Sequence, residues 1–399
     1  MDNVAHTLVG YSLGKIIGER KTFSEPVKRG VLWASVLASN LPDLDSSIGA
    51  NRLTYLLHHR GWTHTILFIP LIAVIAAGIA SLITKMKFKE NWKSLGLAAL
   101  LGVVFHIGTD FCNDYGVHPF APWNNRWFYG DFLFILEPAV WFSMLPLIVL
   151  HSQNRWTKGL WLLIGFGMFF VVWFKPYTPL LVAIGLTFWL ISNSWVQWRF
   201  LDQRQKSGQV AFLSFLAVLT VFFISSRVVK KQIQGMASVS TQILTSPAPS
   251  NPFCWRVMAM QGNQDEYMVH IGVASLAPQY FDPKTCFFRL SAERSAPLQV
   301  STFAESERVH WIGKYVGSFA EMRQLSESHC DFRELLKFAR VPFWKAVQGG
   351  YIVGDLRYDF NTEMGFAKFK TDSNYHCLGT LPPWDEPVDA LTNPIEKVM

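Results

Sequence analysis

Charge is scarce in this 399-residue sequence: only 16% of residues are Asp, Glu, Lys or Arg, while 50% are hydrophobic. Soluble globular chains carry about 25% charged residues. No single core hides that much apolar surface, so a purely soluble enzyme is excluded, as are a disordered or collagen-like chain. Five cysteines in a chain of this length exclude a small disulfide scaffold. There is no internal repeat and no low-complexity tract. Walker-type and Rossmann glycine fingerprints are missing, and so is a G-x-S-x-G elbow, which removes the usual signatures of nucleotide binding and serine hydrolysis. The first residues lack a basic n-region and a small-residue cleavage site, so no signal peptide is expected.

What the chain has instead is long apolar runs of bilayer length. They cover Ile66–Ile83, Leu95–Phe111, Phe132–Leu150, Leu160–Phe174, Leu180–Trp198 and Val210–Ser226. Val4–Ile17 and Val31–Leu41 are shorter and read as a re-entrant or tilted hairpin. The net charge of +7 lies wholly in this half: residues 1–226 carry 18 basic and 11 acidic side chains, residues 227–399 carry 18 of each. Basic loop charge in a membrane protein explains the excess better than nucleic acid, and no nucleic-acid partner is expected. Arg20, Lys21, Lys28 and Arg29, then Lys85–Lys93, Arg155 with Lys158, and Arg199–Lys206 alternate onto one face. By the positive-inside rule that face is cytoplasmic. Everything after Arg227 then falls on the opposite, non-cytoplasmic side.

Beyond Ser238–Pro252, rich in Ser, Thr and Pro, the composition is that of a soluble domain. Strand-like runs occur at Phe253–Met260, Tyr267–Val273, Cys286–Leu290 and Tyr351–Phe360, and Glu321–Phe338 has a helical pattern. The expected fold is an α-helical polytopic membrane bundle followed by a soluble α+β C-terminal domain. Its parts are a metal-site helical domain over 1–150, additional transmembrane helices over 151–226, a linker over 227–252 and the non-cytoplasmic domain over 253–399. Cys254, Cys286, Cys330 and Cys377 fall in that last part, where at least one disulfide is expected in an oxidising compartment.

Six of the eleven histidines lie within the first 118 residues, near the same ends of the apolar runs as Asp43, Asp45, Asp110 and Asp114. Ionisable groups at membrane depth are costly and need a partner or a task. His106 and Asp110 are four apart, one helical face, and offer imidazole plus carboxylate to a first-row metal. Asp43 and Asp45 follow Pro42 on a segment read as extended, which turns both carboxylates to one side. One then binds metal while the other orients water or a histidine, as catalytic base. His59 is placed just before a helix and His64 inside it. His6 and His118 complete the ring, and Arg60 and Arg126 flank it as possible phosphate grips.

The segments MDNVAHTLVGYSLG, NLPDLD, HHRGWTHT and HIGTDFCNDYGVHPFAPW, in that order, resemble the YdjM/YfhP-type membrane-bound metal-dependent hydrolases over about the first 140 residues. SPAPSNPFCWRVMA and GYIVGDLRYDF resemble the C-terminal extension of the longer members. The resemblance implies a hydrolase. The order His, Asp, His, His-x-x-x-Asp, His is more distantly similar to zinc-dependent phospholipase C and single-strand nucleases. By that likeness His106 and Asp110 share a metal with Asp43 or Asp45 and with His59 or His64. Asp110 bridges to a second ion near His6, and His118 serves a further one. That superfamily's N-terminal Trp and second His-x-x-x-Asp/Glu pair are missing here, and Glu137 is the candidate acidic stand-in. One or two divalent ions, zinc by this likeness, are expected.

The combined expectation is an inner (plasma) membrane, multi-pass metallohydrolase acting at the non-cytoplasmic face on a phosphoester or lipid-linked substrate, with membrane lipids as partners. The alternative is a non-catalytic metal-binding transporter, sensor or scaffold. Topology is directly testable. Reporters inserted in the Lys85–Lys93 loop and fused after Met399 should report opposite compartments; the same compartment for both overturns the orientation.

Overall fold

Asp2 starts the first helix, its carboxylate accepting the Ala5 amide at 2.9 Å to cap α1 (Asn3–Gly18). In this computed structural model residues 1–48, 51–175, 178–236, 242–263, 265–286, 294–360, 362, 365–372 and 382–387 are described. α2 (Glu25–Ala38) returns antiparallel to α1 and leads into a 3-10 helix at Leu41–Ile48. A short α3 (Arg52–His58) and a 3-10 turn at Trp62–His64 precede α4 (Ile69–Ile83) and α5 (Phe88–Phe111). The bundle continues with α6 (Pro138–His151), α7 (Arg155–Phe174), α8 (Leu180–Arg199) and α9 (Arg204–Gln234). Of these, α5, α7, α8 and α9 are long and apolar enough to cross a membrane. The Arg52–His64 segment and α4 make a fifth span if the 82° bend between them is counted within one crossing. This is a multi-pass membrane protein.

Two expected spans are shorter than read. The run Phe132–Leu150 is helical only from Pro138, whose fixed φ suits the first turn, with Glu137 accepting the Ala139 amide at 3.1 Å. The run Ile66–Ile83 is helical only from Ile69, because the chain turns through the bend before Pro70. The stretch 227–252 holds the end of α9, where Val229 and Ile233 are buried, and a first strand β1 (Gln242–Ala248). Its Ser/Thr/Pro composition disguised a paired strand.

The remaining chain is α+β. β1, β2 (Asn251–Gly262), β3 (Glu266–Ser275) and β4 (Val309–Ser318) form an antiparallel meander in that order. The elements α10 (Pro283–Cys286), α11 (Phe319–Ser328) and α12 (Cys330–Leu336) accompany it. A second antiparallel sheet holds β5 (Pro342–Val347), β6 (Gly350–Asp355) and β7 (Lys368–Lys370). Cys286 ends α10 instead of opening a strand, and 287–290 lie outside the described residues. A disulfide joins Cys254 on β2 to Cys286. Cys330 is disulfide-bonded as well; Cys377 lies outside the described residues.

This domain sits on the end of the bundle where α1 begins and α5 ends. Arg340 donates twice to buried Asp131 at 2.8 and 2.9 Å. Trp127 Nε1 donates to the Lys337 carbonyl at 2.7 Å, and Trp384 Nε1 to the Leu57 carbonyl at 2.6 Å. Within the bundle, Gly102 lets α5 lie against α2: a Cβ there would stand 2.8 Å from the Ser35 carbonyl oxygen and 2.9 Å from Ala38 Cβ. One turn later, His106 reaches the Ser39 carbonyl. Gly102→Val should therefore cost about 1–3 kcal/mol by overpacking and also weaken metal binding. Thermal melting and metal titration in detergent check both; a variant that melts lower with unchanged metal affinity would uncouple the helix contact from the site.

Candidate metal centre

The Leu41–Ile48 segment sets two carboxylates. In a 3-10 helix successive residues are about 120° apart, so Asp43, Leu44 and Asp45 occupy three faces. The two aspartates take the faces turned into the protein and are buried; Leu44 takes the outer one. The backbone is thus 3-10, not extended, and the two carboxylates serve different neighbours. His59 follows α3 as its C-cap, so the helix precedes it, and His64 ends the Trp62–His64 turn. Arg60 between them has φ of 62°, a left-handed value that costs a non-glycine residue of order 1 kcal/mol. The turn is held by Asp45.

Asp45 acts as the hub of this loop. It accepts from His59 Nδ1 at 2.9 Å, from the Arg60 amide at 3.0 Å and from Thr63 Oγ1 at 2.5 Å. Thr63 Oγ1 stands 2.9 Å from His64 Nδ1. Since the hydroxyl proton goes to Asp45, His64 Nδ1 must be the donor in that pair. On α5, His106 Nδ1 donates to the Ser39 carbonyl at 2.8 Å, because a carbonyl oxygen can only accept. As neutral imidazoles, both therefore turn bare Nε2 lone pairs inward.

Those lone pairs meet. His64 Nε2 and His106 Nε2 are 3.0 Å apart, and Asp110 Oδ2 lies 3.0 Å from the first and 3.4 Å from the second. Asp43 Oδ1 lies 3.6 and 3.4 Å from the same two nitrogens. Among the described residues, Asp43 Oδ1 and His6 Nε2 are buried without a hydrogen-bond partner. Four buried acceptors converging in this way repel one another unless a cation stands among them. The donor set, two imidazoles and two carboxylates, is that of a first-row divalent metal. Asp43, His64, His106 and Asp110 form one such group, and Asp43, Asp45 and His59 form a second that shares Asp43. Burial works to raise the Asp45 carboxyl, but the His59 and His64 Nδ1 groups that face it outweigh burial and hold it below the usual carboxylate range.

The other expected residues take different places. His6 stacks on His106 with ring centres 3.9 Å apart, its Nε2 3.3 Å from Asp110 Oδ1. The Met1 amino group, also buried, contacts the same oxygen. Arg60 is not a free phosphate grip: its guanidinium donates to Asp110 Oδ1 at 2.9 Å and Asn113 Oδ1 at 2.8 Å. Arg126 is exposed and pairs loosely with Asp385 at 4.0 Å. Glu137 belongs to neither group; its second oxygen accepts the Ser250 amide at 3.1 Å, tying α6 to the β1–β2 turn. His118 is set apart in an aromatic sandwich, 3.8 Å from the Trp384 ring and 3.8 Å from that of Trp127. Thr63, Asn113 and the Ser39 carbonyl were not legible, since backbone acceptors and lone hydroxyls leave no spacing signal.

Burial pushes His118 down from 6.5 to about 3. The folded protein keeps it neutral while the unfolded chain takes up a proton below about 6.5, so stability is lost as pH falls across that window. His118→Phe keeps the aromatic sandwich and removes this loss. In metal-stripped protein, its melting temperature relative to the wild type should rise as pH falls from about 6.5 toward 4, by up to ~1.4 kcal/mol per pH unit. A difference independent of pH would mean that His118 is already protonated in the fold.

No solved structure matches the chain. The Bacillus subtilis (strain 168) protein YfhP is 29% identical over 153 residues, 38% of this chain and 46% of that protein. The chain thus covers a little under half the length of this curated relative. Every residue of both acceptor groups lies within the stretch that matches a family model. Residues 1–179 match the family described as YdjM inner membrane protein.

Proposed function

We propose that the protein is a membrane-bound, metal-dependent hydrolase of phosphoesters, with Asp43, His64, His106 and Asp110 holding a divalent ion. The observation that carries this reading is the 3.0 Å approach of two imidazole Nε2 atoms beside two buried carboxylates. A divalent cation at such a site acidifies a bound water and offsets negative charge on a phosphoryl group. Zinc suits the nitrogen and oxygen donors, and the second group around Asp43 leaves room for one or two ions.

The chain's own residues supply the rest. Asp45 is saturated by three donors, so the proton acceptor we assign is His59, oriented through Nδ1 by Asp45 with Nε2 bare. Water adds to phosphorus, His59 takes its proton, the ester P–O bond breaks, and that proton ends on the departing alkoxide. The products are an alcohol and the phosphoric acid derivative. Arg60 holds Asp110 in place and balances its charge. The Cys254–Cys286 bridge supports reading the C-terminal domain as non-cytoplasmic and, with it, the site as one that works at the outer face of the membrane.

His106→Ala and Asp110→Ala should each abolish both metal content and hydrolysis. Asp45→Asn should keep most metal at saturating zinc and lower turnover about 10²–10⁴-fold. Metal analysis alongside assays on bis(p-nitrophenyl) phosphate and vesicle phospholipid separates these outcomes. Stoichiometric metal with no hydrolysis across esters and phosphoesters would favour a metal-binding transporter, sensor or scaffold. Full activity in a metal-free variant combining His106→Ala and Asp110→Ala would remove this cluster from catalysis.

A further inference from the structure

From Gly61 to Ile83 the sequence contains no Asp, Glu, Lys or Arg; its one ionisable side chain is His64, which is fully buried. Along α4 the exposed Leu71, Val74, Ile75 and Leu82 fall on one helical face. On a membrane helix that face meets hydrocarbon. The stripe does not end where α4 begins. Ile66 and Leu67, 49% and 50% exposed, carry it around the bend toward Trp62, 37% exposed.

This is the same stretch of chain whose inner side delivers His64. The neighbouring 3-10 helix repeats the arrangement, with Leu44 63% exposed between the buried Asp43 and Asp45. The two 3-10 segments pack against each other, so on this side the wall of the metal centre is one layer of backbone. Ligands line its inner surface, and aliphatic and indole side chains line its outer one. A rim that gathers soluble, multiply charged esters carries exposed Lys or Arg. Between Gly61 and Ile83 this rim carries none.

We propose that Leu44, Trp62, Ile66 and Leu67 form a collar that docks the hydrocarbon tail of a bilayer amphiphile. The substrate would then be a phosphoester head carried directly on a lipid tail and presented from within the membrane. The collar rests on geometry alone; its link to substrate rests on the hydrolase reading above. Continuity with the bilayer-facing stripe of α4 identifies the occupant, because acyl chains are what that stripe already contacts. All four side chains point outward, so polar replacements there leave the buried ligands untouched.

Two measurements test this separately. In phosphatidylcholine–phosphatidylglycerol nanodiscs, nitroxides at positions 44, 66 and 67 should collide with oxygen more than with a nickel chelate, and one at exposed Glu327 on α11 the reverse. Nickel-dominated collisions at 44 and 66 would overturn the collar whatever the enzyme does. The combined variant Leu44→Ser, Ile66→Ser, Leu67→Ser should keep wild-type metal content and wild-type turnover of bis(p-nitrophenyl) phosphate. Its KM for dioleoyl phosphatidic acid in vesicles should rise about tenfold or more, as lost aliphatic contacts predict. Equal effects on both substrates, or none on either, overturn the substrate assignment. A wild type that hydrolyses neither probe defeats the hydrolase reading and the substrate assignment with it, leaving the nitroxide result to decide the collar.

Discussion

Four buried acceptor atoms facing one another are the constraint on which the rest of this structure depends. Bare Nε2 atoms of His64 and His106, set between carboxylate oxygens of Asp43 and Asp110, have no proton to share once their Nδ1 hydrogens are committed elsewhere. Each commitment is made by a neighbour with no alternative role: a carbonyl that can only accept, and a hydroxyl already donating to Asp45. Fixing the tautomer from behind in this way is how proteins present histidine to a metal. The packing of α1, α2 and α5 follows from the need to hold that geometry, with glycine where α5 must close on α2.

Asp45 shows how much rests on one side chain. Its two oxygens gather three donors from a five-residue stretch, His59 to Thr63, and so hold Arg60 in a left-handed conformation that isolated chains disfavour. The turn then sends His59 and His64 to two different acceptor groups, off-register as any single helix would have them. Three-fold geometry in the adjoining 3-10 helix does the complementary work, turning Asp43 to the acceptor cluster and Asp45 to the loop it organises.

The parts legible in the sequence are those governed by composition and by helical period. Apolar runs announced the membrane helices, and the four-residue spacing of His106 and Asp110 placed them on one face of α5. A soluble α+β tail was visible from its composition. What could not be read depends on contacts distant in the chain. Glu137 sits in an apolar context that invites a metal role, yet its oxygens serve the α6 and Ser250 amides. His118 shares the motif with Asp110 but is claimed by Trp127 and by Trp384, more than 260 residues away by the numbering of the two positions. β1 was hidden by serine and proline because pairing with β2, not propensity, makes it a strand. A single 3-10 segment such as Leu41–Ile48 is too short for its three-residue period to stand out in the sequence.

The two sides of the His/Asp cluster are closed by opposite means. On one, apolar side chains on a single layer of backbone face outward. On the other, a chain of polar contacts runs from Asp110 through Arg60 to Asn113, and the loop that follows is gripped by the C-terminal domain. There Arg357 bonds the Asp114 carbonyl, and Arg256 and Ser246 reach the Asp114 carboxylate. Trp384 wedges against His118 and Gly61, where even a Cβ would stand 3.0 Å from its ring. Buried guanidinium and carboxylate groups of this kind are unfavourable to desolvate singly and hold only when the whole set is in register. The loop bearing Arg60 and the end of α5 bearing Asp110 are therefore ordered by a domain far away in sequence. That makes the α+β domain part of the scaffold of the His/Asp cluster, and not a separate module hung from the membrane helices.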